Sequence, residues 1–159
     1  MLNASMGLTL PQIIELVAIV IAATMVGNEL AVAIFVHPKL SALDDATHLQ
    51  TVQPLAAVLG VVMPFWYALT LLGSLAIAFF ARPVGTPGHG LALIAAGLFA
   101  IIIVYTVLLP APINSQIARW RPESPPANWR ELRRRWDRLH AFRVVLLVVA
   151  LVLLVAACL

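Results

Sequence analysis

Four long apolar stretches, residues 11–36, 55–80, 91–109 and 144–159, limit what this chain can fold into more sharply than any motif in it. Each approaches the ~20 residues that cross a hydrocarbon core at about 1.5 Å per residue, the last being the shortest. Composition agrees. With 62% hydrophobic and 11% charged residues and a mean hydropathy of +1.00, the chain lies outside the range of soluble globular domains and reads as an integral membrane protein. The leader before the first stretch carries no Lys or Arg, and that stretch is long for a cleaved signal peptide, so it is expected in the mature protein. Short connections favour one all-α domain over residues 1–159. The expected architecture is an up-down-up-down four-helix transmembrane bundle whose last helix extends into the cytoplasm.

The net charge of +3 and pI near 9.8 could suit nucleic acid, but the placement of the charges points to membrane topology instead. With four spans, Lys39 and eight arginines from Arg119 to Arg143 fall on one side, leaving Arg82 on the other. The positive-inside rule then puts both termini outside, in a bacterial inner membrane, with residues 38–54 and 110–138 cytoplasmic. The sole cysteine, Cys158, excludes an intramolecular disulfide and a multi-thiolate metal site.

Local signals predict the organisation. Thr9-Leu-Pro11 opens the first helix, and Ala23, Gly27 and Ala31 recur at a spacing that suits close helix packing, leaving a homo-oligomer open. Ser41-x-x-Asp44 predicts a short amphipathic helix carrying His48, and Pro54 and Pro64 predict kinks in the second span. Residues 82–90 form a tight external connection. Pro110-Ala-Pro112 ends the third span, residues 113–120 make a short interfacial turn or helix, and Asn128-x-x-Glu131 starts a last helix from about Trp129 to Cys158.

Trp136-x-x-x-His140-x-x-Arg143 sets an aromatic, an imidazole and a guanidinium on one helical face just before the last apolar run, and the register extends back through Arg133 and Trp129. Trp and Arg at a boundary also serve as simple anchors, so His140 carries the weight of a site. Asn28-Glu29 sits inside the first span, about two turns before His37. A charge there costs at least ~2.5 kcal/mol, so Glu29 faces a cavity or a partner, or ties helices together as a neutral hydrogen bonder. His37, His48, Asn114, His140 and Arg143 share the cytoplasmic end. Trp66 and Tyr67 lie too deep for interface anchors and line a pocket or pack the bundle. His89, at the other end, and Glu15, near the opposite surface, receive no function. No His-Glu-x-x-His, Glu-x-x-His or cysteine pair occurs, so no metal site is assigned.

Pro110-x-Pro112-x-Asn114-x-x-Ile117-x-x-Trp120, with Trp129 and the Trp136, His140, Arg143 segment, resembles the anthrone oxygenase-like family of small four-helix membrane proteins. Gly27-x-Glu29 and His37-Pro38 resemble its first-helix pattern more weakly. The resemblance implies oxidation of an anthrone or quinol-type substrate by molecular oxygen without an established metal or flavin. An anthrone methylene is acidic, and its carbanion can itself donate an electron to oxygen, so a general base and oxyanion stabilisation suffice. On that reading His140 is base or proton relay, Arg143 and Asn114 stabilise the enolate or peroxide, Glu29 orients an imidazole, and His37 completes the catalytic set. Trp136, Trp66, Tyr67 and His48 are candidates for binding the flat substrate. Membrane lipid and a hydrophobic small molecule are the expected partners. Two other readings stay open: a non-catalytic binding or transport protein for a lipophilic small molecule, and a structural subunit.

Overall fold

The computed structural model describes residues 7–121 and 124–159. Four long helices dominate it: α1 (Leu10–Ser41), α2 (Asp45–Ala81), α3 (Pro87–Leu108) and α5 (Trp129–Ala157), with a short α4 (Pro110–Ile117) between the last two. No strand occurs among the described residues. All four long helices are long and apolar enough to cross a membrane. Their outward faces carry large apolar side chains, among them Phe35, Phe65, Leu72, Phe80 and Val152, as a lipid-facing surface does.

Helix starts follow local chemistry. The Gln12 side-chain carbonyl accepts from both the Thr9 N–H and its hydroxyl, at 2.9 and 3.0 Å, fixing the start of α1. Asp44 caps α2 by accepting from the Thr47 N–H at 3.1 Å, and the hydrogen bonds from Thr47 hold the Asp44 carboxyl below its ordinary range. The cap at Asp44 starts the long second helix itself, so the short separate helix expected to carry His48 is absorbed into α2. Pro54 and Pro64 leave α2 unbroken too. Each proline removes one rung, and packing of α2 against α1 and α3 holds the helix through the gaps. Pro110 opens α4 rather than closing α3, as the first-turn preference of proline allows. Asn128 makes no side-chain cap bond, so α5 starts without the expected signature.

α1 packs on α2 and α5, and α3 on the same two, so the four long helices close into a ring. Small residues bring their axes together: a Cβ on Gly73 would stand 3.0 Å from the Ala18 Cβ, and one on Gly88 only 2.7 Å from the Ala157 carbonyl. The expected stripe of Ala23, Gly27 and Ala31 does not make this contact, and Gly27 is exposed. Glu29, with Ala18, Ala22 and Met25, claims the one face of α1 that can enter the bundle, and Gly27 points away from it.

At the far end, Glu15 and Arg82 pair at 2.8 Å, and His89 donates to the Ala78 carbonyl at 2.8 Å, closing the end of α2. At the near end, Gln53 donates to the carbonyls of Ala118 and Trp120, while Ile113 and Ile117 pack with Leu40, Val52 and Trp136. α4 therefore floors the space between the long helices.

Candidate functional site

Residues 32–36 form a π-helical turn just ahead of Pro38. Proline inside an α-helix collides with the carbonyl four residues back, here Ile34, and a wider turn relieves the clash. The consequence is a change of face. In a regular helix eight residues turn about 800°, leaving His37 roughly 80° from Glu29. One extra residue in the turn brings them to within about 20°. Both side chains line a partly open cavity of 420 Å³ to which all five helices contribute. That volume falls in the ~300–1,000 Å³ range of small-molecule sites.

Most of the cavity wall is apolar, including Val32, Leu59, Met63, Ile103 and Val107. Its polarity gathers where α1 meets α5. Glu29 Oε2 accepts from Arg143 Nη2 at 2.7 Å and lies 3.2 Å from His140 Nδ1, and all three residues are buried. Arg143 Nη2 also lies 2.8 Å from His140 Nδ1, and His140 Nε2 is 3.2 Å from the Glu29 carbonyl oxygen. Guanidinium nitrogens only donate and a carbonyl only accepts, so these partners assign His140 the tautomer with its proton on Nε2. Both imidazole nitrogens are then engaged.

The α5 side chains stack in sequence order. The Arg133 guanidinium sits 4.7 Å from the Trp136 ring, which lies parallel to His140 at 4.9 Å and 8°. His37 meets Trp136 and His140 edge-on, at 4.9 and 4.7 Å. Its Nδ1 is 3.5 Å from Asp137 Oδ1, which Arg133 Nη2 approaches at 3.0 Å. Tyr67 places its ring 5.8 Å from the Arg143 guanidinium. Asn114 donates to the Ala56 carbonyl at 2.9 Å, an approach that Gly60 permits, because a Cβ there would stand 3.2 Å from the Asn114 amide nitrogen.

Seven of the residues singled out from sequence thus stand on one wall system: Glu29, His37, Tyr67, Asn114, Trp136, His140 and Arg143. Two stand elsewhere. His48 is buried outside the cavity, bonding the Leu40 carbonyl at 2.7 Å and facing Trp129, where it ties the end of α1 to α2. Trp66 is half-buried and packs against the central apolar core. The cavity adds Asn28, Thr106 and Arg133, which sequence left without a role. Among the described residues, half of the eight buried polar side-chain atoms without a hydrogen-bond partner belong to lining residues: Tyr67 Oη, Trp136 Nε1, Arg133 Nε and Arg143 Nε. Such atoms are uncommon in native interiors and call for a partner. Among the described residues no three His, Cys, Asp or Glu side chains gather to hold a metal ion.

The family model described as anthrone oxygenase matches residues 47–153, from the first turn of α2 to the last turns of α5 and well over half of the chain. No curated protein and no solved structure matches. The matched segment contains Tyr67, Asn114, Trp136, His140 and Arg143 and does not reach Glu29 and His37 on α1.

Proposed function

The chain belongs to the anthrone oxygenase family, and from that premise we propose that it draws a flat, apolar substrate of anthrone or quinol type from the lipid phase and oxidises it with molecular oxygen. For an anthrone the methylene becomes a carbonyl and the second oxygen atom leaves as water. A proton passes from carbon to a base on the cavity wall, and the delocalised carbanion gives one electron to oxygen. The two radicals join as a peroxide, which takes the proton back. Loss of the second methylene proton then cleaves the O–O bond, forming the ketone and releasing water.

The observation that carries this reading is the clustering of Glu29, His37, His140 and Arg143 where α1 meets α5, in a cavity whose wall is mostly apolar. The apolar part suits fused rings, and the polar end suits the carbon that ionises. Arg143 Nε and Trp136 Nε1, which have no hydrogen-bond partner among the described residues, suit a ligand oxygen on which negative charge develops. Asn114 offers its second amide proton. The exposed arginines Arg134, Arg135 and Arg138 lie near this end of α5, which supports placing it on the cytoplasmic side with both termini outside.

Detergent-purified protein, given an anthrone under ¹⁸O₂, is expected to form the anthraquinone well above the protein-free rate, with one labelled atom in the new carbonyl. Tight binding of a panel of anthrones without conversion would assign the cavity to a non-catalytic carrier. Conversion with the carbonyl oxygen drawn from water would remove the oxygenase chemistry.

A further inference from the structure

We propose that His37 is the group that takes the proton from substrate carbon, and that Asp137 is its positioning residue; this rests on the carbon-acid oxidation proposed above. His140 is the imidazole that the helical stripe emphasises, yet its Nδ1 receives an Arg143 N–H and its Nε2–H is spent on the Glu29 carbonyl. A proton delivered to Nδ1 would displace that arginine N–H and leave the single Glu29 carboxylate to balance two adjacent cations. His37 is differently placed. None of the hydrogen bonds among the described residues uses its ring, which lines the cavity wedged edge-on between Trp136 and His140.

Among the described residues, the carboxylate oxygen in salt-bridge contact with that ring is Asp137 Oδ1, 3.5 Å from Nδ1. It lies within reach of Arg133 as well, but among the described residues no contact to this buried oxygen has hydrogen-bond geometry. Long, poorly aligned contacts of this kind are common in unliganded sites and tighten when substrate binds. Once Nδ1–H donates to Asp137, the lone pair resides on Nε2, and the carboxylate stabilises the imidazolium that forms. The C–H bond breaks, its proton goes to Nε2, and the electron pair stays on carbon until oxygen accepts an electron. His37 then gives a proton to the peroxide and is neutral again without any further reactant. Asp137 never touches the substrate.

Deprotonation separates from oxidation when oxygen is withheld. In D₂O without oxygen, purified full-length protein is expected to exchange the methylene hydrogens of anthrone faster than buffer does. His37→Ala should slow this exchange by at least about a hundredfold, the low end for a general base, and added imidazole should restore part of it. Asp137→Asn should lower the exchange rate about ten- to a hundredfold, the range for partners that orient a histidine, with KM little changed, and Asp137→Glu should recover part of the loss. Near wild-type exchange in folded His37→Ala, or a loss confined to His140→Asn, would overturn the assignment. So would wild-type conversion to anthraquinone with no exchange at all. If wild-type protein neither exchanges nor converts, the oxidation reading itself fails.

Discussion

Glu29→Leu is expected to destabilise the folded bundle by about 3–5 kcal/mol, the cost of stripping one partner from a buried ion pair. Glu29 and Arg143 are both nearly inaccessible, and their 2.7 Å contact is the shortest polar link between α1 and α5. Leucine would leave the guanidinium buried with no counter-charge. The effect exceeds the ~1–2 kcal/mol of a neutral interhelical hydrogen bond because a whole charge is orphaned. Glu29→Gln keeps the shape and one acceptor for Arg143, so it should fold with a smaller loss yet fail in turnover, its amide being unable to balance the guanidinium. Denaturation in detergent and turnover of both variants check this. A Leu variant matching wild type in both assays contradicts it.

Trp136→Ala should be nearly as damaging, at about 3–5 kcal/mol, because it removes a buried aromatic that stacks on His140, holds the edge of His37 and supports the Arg133 guanidinium. Trp136→Phe separates packing from recognition. Phenylalanine keeps a ring in the stack and deletes an indole N–H that has no protein partner. Stability should change little, whereas affinity for an oxygen-bearing tricyclic ligand should fall by about 0.5–1.5 kcal/mol if that N–H serves the ligand. Unchanged affinity in the Phe variant would show the indole acting through packing alone. Chemical denaturation and a fluorescence titration with anthraquinone supply the two numbers.

The spans were legible because lipid demands long apolar runs, and the α5 stripe because helical spacing fixes which side chains share a face. Glu29 was legible through its cost: a carboxylate inside a span needs a partner, and Arg143 supplies one across the bundle. Other features depend on tertiary placement. The π turn follows from Pro38, which advertises a clash but not how the helix resolves it. Asp137 sits in the charged segment from Arg130 to Arg138, which reads as a solvated face until His37 is set opposite it. Its positions four after Arg133 and three before His140 were the available hint. His48 and Trp66 have the right chemistry and depth for the cavity, but their helical phase turns them elsewhere.

On the proposed function, the cavity between Tyr67 and Trp136 holds the flat ring system whose carbon is oxidised. Anomalous scattering from a bromo-anthraquinone bound to the crystallised protein locates that ring system directly. A bromine peak inside the cavity, within contact distance of Leu59, Met63 or Ile103, is the predicted result. Peaks confined to the lipid-facing surface, with the cavity left without ligand at saturating concentration, would contradict that placement.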